Sequence, residues 1–244
     1  GDIYGYETIG IAKSKDEMDQ HLASLPNGGQ NALGTNWDAG DIMYKDLNGD
    51  GKIDNGGNKY DDMGDMKKIG NNTPRYLFGL DLNADYKGFD FRAFFQGVMK
   101  RDYWQGSAYF WGATSLWHST GFVEHADYFR AEASNDLPAN LNAYYPRPVF
   151  DSSKNRQRQT AYLQNAAYIR LKNVQLGYTL PANLTHKFYV SKLRVFVSGE
   201  NLWTGTSLAN MFDPETIGGG DDTDKNGNAY PLSKTISFGI SVTL

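Results

Sequence analysis

The chain has 244 residues, a formal net charge of −4 and no cysteine, enough for one large or two small domains. That balance excludes a global basic field for nucleic acid, and the missing thiols exclude disulfides, thiolate metal sites and a cysteine nucleophile. Aromatics at 14% and 27 glycines favour strands and turns, and no run of about eighteen apolar residues marks a membrane helix. The opening GDIYGYETIG lacks the basic start and apolar middle of a signal peptide, so the chain is expected to be a mature start or a piece of something longer.

A first strand is expected at Ile3–Ala12, then a short helix around Ser14–Ser24, where Ser14 and Glu17 fit a capping box. DLNGDGKID follows at Asp46–Asp54. Asp46, Asn48, Asp50, Gly51 and Asp54 stand at the first, third, fifth, sixth and ninth places of a calcium loop, and Lys52 at the seventh contributes a backbone carbonyl. The twelfth place, normally a bidentate Glu, is Gly57, so a later acid must close the site; Asp61 or Asp62 is near enough in sequence. Hard oxygen ligands at this spacing suit Ca2+ as a structural clip, the alternative being a metal-free loop of Asx turns. No paired amphipathic helices flank the loop, which argues against a calcium switch.

Period-two alternation then becomes explicit. In Arg75–Lys87, Tyr76, Phe78, Leu80, Leu82, Ala84 and Tyr86 share a face opposite Asp81, Asn83, Asp85 and Lys87. Lys87-Gly88 makes a tight turn into Phe89–Val98, where Phe89, Phe91, Ala93, Phe95 and Gly97 oppose Asp90, Arg92 and Gln96. The stretch Tyr103–Trp117 is dense in aromatics. Trp104, Tyr109, Phe110, Trp111 and Trp117 are candidate substrate contacts, since aromatic faces stack on sugar rings; packing under a loop, a membrane girdle or a partner contact is the alternative.

In Tyr168–Leu180 the apolar phase runs through Ile169 and Leu171 and moves to Val174, Leu176 and Tyr178. A one-residue slip of this kind is what a β-bulge produces, mixed faces being the alternative. Leu193, Val195, Val197 and Gly199 alternate with Arg194, Ser198 and Glu200, and the chain ends with Ile236, Phe238, Ile240, Val242 and Leu244 on one side. Asp221–Gly227 is a second acidic, turn-rich piece without the full alternation, expected to be a solvated loop.

The connections alternate in length: about sixty residues before Arg75, two at Lys87-Gly88, about sixty before Tyr162, about ten over 181–190 and about thirty over 203–233. Short turns on one side and long loops on the other are the habit of an outer-membrane barrel, whereas loops this long are uncommon in a soluble domain. The fold expected is all-β: an antiparallel transmembrane β-barrel, represented by about six strands as an open curved sheet. The inner face of a soluble sandwich alternates in the same way and remains the competing architecture.

The blocks IGNNTPRYLFGLDLNADYKGFDFRAFFQGV (Ile69–Val98), YIRLKNVQLGYTLP (Tyr168–Pro181) and KLRVFVSGENLWT (Lys192–Thr204) resemble the C-terminal part of SusC/RagA-type TonB-dependent outer-membrane transporters. So do IYGYETIGI and GDIMYKDLNGDGKID (Gly40–Asp54), and the blocks follow the family's order across nearly the whole chain, 1–244. The resemblance implies a Gram-negative outer-membrane importer of oligosaccharides or peptides, embedded in lipid and working with a SusD-like surface lipoprotein. It also implies energy from a TonB complex contacted by an N-terminal part not in this chain. The stretches 12–73 and 101–160 become long extracellular loops. Arg92, Arg194, Glu200, Asp81, Asn83 and Asp85 would face the lumen, because an Arg or Lys on the lipid face costs about 2–4 kcal/mol at the midplane. Arg170 and Lys172 would face the lumen or lie near an interface. One departure is Leu244, which stands where such barrels usually end in an aromatic residue.

No enzyme is expected. His21, His118, His125 and His186 form no triad or metal spacing, no G-x-S-x-G or phosphate loop occurs, and Glu124, Asp127 and Glu132 are isolated acids rather than a glycosidase pair. The competing function is a soluble calcium-binding β-protein acting as a ligand-binding or adhesion module.

Overall fold

The structure, a computed structural model, describes residues 1–112, 114–115, 117, 121–134, 136–217 and 229–244. In chain order the elements are β1 (Asp2–Tyr6), β2 (Thr8–Ile11), α1 (Lys15–Ala23), β3 (Ile42–Tyr44) and β4 (Met66–Asn71). Then come β5 (Arg75–Tyr86), β6 (Phe89–Lys100), β7 (Asp102–Trp104), α2 (Ala108–Trp111) and β8 (Leu163–Asn165). The chain continues through β9 (Tyr168–Thr179), α3 (Ala182–Thr185), β10 (Lys192–Thr206) and β11 (Thr235–Thr243). Two compact units form, one from 1–72 and 103–164, the other from 73–102, 165–217 and 229–244.

The second unit is a wall, an open antiparallel sheet in the order β11-β10-β9-β6-β5. Its register places the alternating residues in rows. Ala84, Phe91, Leu176, Val197 and Phe238 are successive cross-strand partners, and so are Tyr86, Phe89, Tyr178, Val195 and Ile240. The interleaved row is Asn83, Arg92, Gln175, Ser198 and Ser237. Period-two patterns on five strands therefore fall into phase, giving one apolar face and one polar face. The apolar face is open to solvent: Phe238 is 84% exposed and Ile240 69%.

Local chemistry sets the register. Lys87 and Gly88 both have positive φ, 46° and 86°, the backbone that a two-residue hairpin turn demands. The phase slip in β9 is a bulge. Register shifts between Phe94 and Phe95 of β6, and the partners pass from Asn173 to Leu171, leaving Lys172 unpaired in the ladder. On the other side β10 absorbs two residues between Glu200 and Trp203, with Asn201 in the left-handed region at φ 53°.

The N-terminal strand does not join the wall. Ile3–Ala12 is divided into β1, which pairs with β4, and β2, which pairs with β3. The wall thus holds five strands among the described residues, against the expected six or so. Period-two alternation reports a pleat and not a partner, and the partners of β1 and β2 lie in the same unit.

That first unit has a core of its own. Tyr44 is fully buried, with the rings of Tyr6 and Trp37 at 5.4 and 6.5 Å, and its hydroxyl donates to the Lys154 carbonyl at 2.7 Å. Gln30 accepts from the Tyr44 amide at 2.6 Å and donates to the Ile42 carbonyl at 3.1 Å. Asp41, also fully buried, accepts from Arg147 Nε and Nη2, Lys154 Nζ and Asn155 Nδ2, each at 2.8 Å. Residues expected in two separate loops, 12–73 and 101–160, are stitched into one body. The helix α1 begins as expected, the Ser14 hydroxyl accepting from the Glu17 amide at 3.1 Å.

Candidate functional site

The acidic loop lies in the first unit and is built by its own side chains. Asp46 accepts from the amides of Gly49 and Gly51, Asn48 from that of Asp50, and Asp50 from that of Lys52. Gly51, at φ 78°, supplies the turn that the sixth place requires. Fully buried Ile53 donates its amide to the Gly29 carbonyl at 2.8 Å and pins the loop to the core.

The acid that reaches the loop is Asp65, in place of the expected Asp61. One carboxylate oxygen from each of Asp46, Asp50 and Asp65 lies within 4.8 Å of the others. Beyond Ile53 the chain reverses at Gly64, whose φ of 55° and close approach to the Asp54 carbonyl leave no room for a side chain. This brings Asp65 back to accept from the amides of Leu47 and Asp54 at 2.7 and 2.9 Å. Asp61 stays exposed, and Asp62 caps the Gly57 amide at 2.8 Å. Asp54 turns instead to Lys52, whose ammonium lies 2.5 Å from its carboxylate and holds its pKa below the usual range.

Burial, with the charge of Asp46 adding to it, raises the Asp65 pKa. Among the described residues the adjacent cation is Lys52, 3.8 Å from Asp50 and engaged by Asp54. Three converging carboxylates with an unfavourable buried charge are a donor set that fits a hard divalent cation.

The five candidate aromatics divide. Phe110 is fully buried and Trp111 9% exposed; both pack on Tyr162, and Phe110 also on Tyr145. Trp104 is half-buried with its ring 5.9 Å from Trp111. The Trp111 indole donates to the Gln105 carbonyl at 2.9 Å. Phe110, Trp111 and Trp104 therefore belong to an aromatic core, which contradicts surface contact for fully buried Phe110. Tyr109, with its ring 6.2 Å from Phe122, and Trp117, 93% exposed, stay at the surface. His125 is locked: Nδ1 accepts from the Phe122 amide and Nε2 donates to the Phe110 carbonyl. His118 and Asp221–Gly227 lie outside the described residues.

Several charges on the polar face of the wall are paired. Asp81 accepts from Arg92 Nε and Nη2 at 3.1 and 2.6 Å, and Asp90 takes Arg194 in the same way across the strands. Arg170, 4% exposed, is covered by Asp213 at 2.7 Å and Glu215 at 3.4 Å, and Lys172 meets Glu215 at 2.9 Å. Sequence alone gives the face but not these partners.

No family model matches the chain. Over 249 residues it is 28% identical to the TonB-dependent receptor P3 of Formosa agariphila, covering 99% of this chain and 22% of that protein. TonB-dependent receptor P26 of the same organism is 27% identical over 252 residues, covering 98% and 22%. The fold matches the solved RagAB peptide transporter with a TM-score of 0.60 at 22% identity, covering 99% of this chain and 23% of that one. The resemblance to SusC/RagA-type TonB-dependent receptors holds across the chain. These relatives are receptors and transporters, not enzymes, in line with the expectation drawn from the histidines and isolated acids. The chain spans 22% of the length of these two receptors, and its fold, the open five-stranded sheet included, matches 23% of the RagAB chain. No described helix is long and apolar enough to cross a membrane, which leaves crossing by strands open.

Proposed function

We propose that the chain forms a section of the wall and outer loops of an outer-membrane, TonB-dependent importer of the SusC/RagA type. The supporting observation is the register: five strands carry their apolar residues in unbroken rows on one exposed face, opposite a face of bidentate ion pairs. Lipid covers the first and the lumen takes the second. With β11 running toward the periplasm, the Lys87-Gly88 turn and 181–190 are periplasmic. The segments 12–73, 101–160 and 206–232 then face outward, where a SusD-like lipoprotein and an oligosaccharide or peptide substrate are met. A RagAB structure is described as a peptide transporter, which supports the peptide arm. TonB acts through a part outside this chain. Asp46, Asp50 and Asp65, with Asn48 beside them, hold Ca2+ as a constitutive clip of the outward unit.

Fractionation of cells carrying the full-length receptor tests the placement. Wild type is expected in the outer membrane, migrating heat-modifiably on gels. Phe91→Arg and Ile240→Arg should each lower that yield severely, at about 2–4 kcal/mol per lipid-facing charge, while Ser237→Arg should not. A wholly soluble native product, or equal yields for all three variants, would sink the proposal and favour the soluble calcium-clipped module.

A further inference from the structure

The first unit contains a cavity of about 210 Å³ that the importer reading leaves unused. Its lining includes Trp111, Tyr145, Pro146, Val149, Ser152 and Arg156. Several of the polar groups beside it are already committed. Arg147 is bound through two nitrogens to Asp41, and Asn155 donates to Asp41 while accepting from the Ile42 amide. Both ring nitrogens of His125 are occupied. Arg156 differs. Its Nε and Nη2 both donate to one carbonyl, that of Ser152, at 3.0 and 2.8 Å, and it forms no ion pair among the described residues. Burial lowers its pKa and Asp151 only partly opposes this, so the charge is held at a cost that an anion would relieve.

We infer that this cavity binds a small carboxylate whose molecule carries a single ring, with Arg156 taking the carboxylate and the Trp111 and Tyr145 side of the lining taking the ring. A guanidinium is the side chain suited to planar bidentate recognition of a carboxylate, and Nη1 has no bond among the described residues to give up first. Size limits the ring count, because about 210 Å³ falls below the roughly 300 Å³ at which ordinary small-molecule pockets begin. Two sources share this chemistry: an acidic sugar, and the C-terminal residue of a peptide ending in an aromatic side chain. The inference rests on the importer reading for its biological sense, since the cavity lies in the unit proposed to face outward.

Calorimetry on the full-length receptor in detergent tests it, with N-acetylphenylalanine, its neutral amide, glucuronic acid and glucose as probes. At least one acid should bind about tenfold or more tightly than its neutral twin, the scale of one charge-assisted hydrogen bond. Arg156→Gln should remove that preference. Preference for N-acetylphenylalanine assigns the site to peptide termini, and preference for glucuronic acid assigns it to acidic glycans. Val149→Trp fills the cavity with the charge intact and should abolish binding, so it tests the site independently if Arg156→Gln does not fold. No binding by either acid, equal binding of acids and neutral twins, or undiminished binding in both variants would overturn the inference. Outer-membrane recovery is read separately, so an absent site leaves the importer reading standing.

Discussion

At the scale of single residues, Asp41 holds the first unit together. Burial alone would raise its pKa, but Arg147, Lys154 and Asn155 outweigh that and hold it below the ordinary carboxylate value. The sign follows by linkage. A depressed folded pKa means stability that is fully present above the unfolded value of about 3.9 and lost as pH falls through the folded one. Protease resistance of this unit in the full-length protein should therefore fall steeply below about pH 4 in wild type. Asp41→Ala should lose about 3–5 kcal/mol at neutral pH, because Lys154, 2% exposed, is left buried with no anionic partner, only two carbonyls and the Trp37 ring among the described residues. An Asp41→Ala protein with wild-type resistance and an unchanged acid profile would remove Asp41 from this role. Nothing near Asp41 in the sequence announces it. Its partners lie 106 and 113 residues away, and single charges carry no periodicity to betray such a pairing.

At the scale of elements, what could be read was what is encoded locally. The Lys87-Gly88 turn, the Ser14 cap and the bulge after Leu171 are each written in a few neighbouring residues, and each is present. The calcium-type loop was legible through Asp46, Asn48, Asp50 and Gly51, but the third converging acid was not, because Asp65 arrives by a chain reversal rather than by spacing. The same limit hid the pairing of β1 with β4 and β2 with β3. Asp65 also makes the clip testable. Chelator should lower the protease resistance or melting temperature of the wild-type receptor, and calcium at about 100 times its Kd should restore roughly 2.7 kcal/mol. Asp50→Ala and Asp65→Asn should abolish that response, while Asp61→Asn should keep it. Chelator-insensitive wild type would reduce the loop to Asx turns, and loss of the response in Asp61→Asn would return the closing role to that residue.

At the scale of the whole molecule, the wall cannot satisfy itself. Five strands do not close a barrel of the kind that surrounds a transport lumen, so β5 and β11 each keep a free edge. Leu80, Leu82, Phe89, Phe91, Ile236, Phe238 and Ile240 are all exposed, forming an apolar surface that water does not tolerate as a contiguous patch. The 244-residue chain produced alone should therefore aggregate in buffer and need detergent. The two architectures that the alternation allows can be separated by the sign of a mutational effect. If the face meets lipid, replacing Phe238, Ile240 and Val242 by Ser should make the isolated chain more soluble while impairing outer-membrane assembly of the full receptor. If it is the inner face of a soluble sandwich, the same changes should destabilise the isolated chain in buffer, at about 2–5 kcal/mol for each large side chain removed from a core. Sedimentation of the isolated chain with and without the triple substitution reads the sign directly. A monomeric wild-type chain in plain buffer that the substitutions unfold would make the sheet half of a core and leave the membrane no part in the fold.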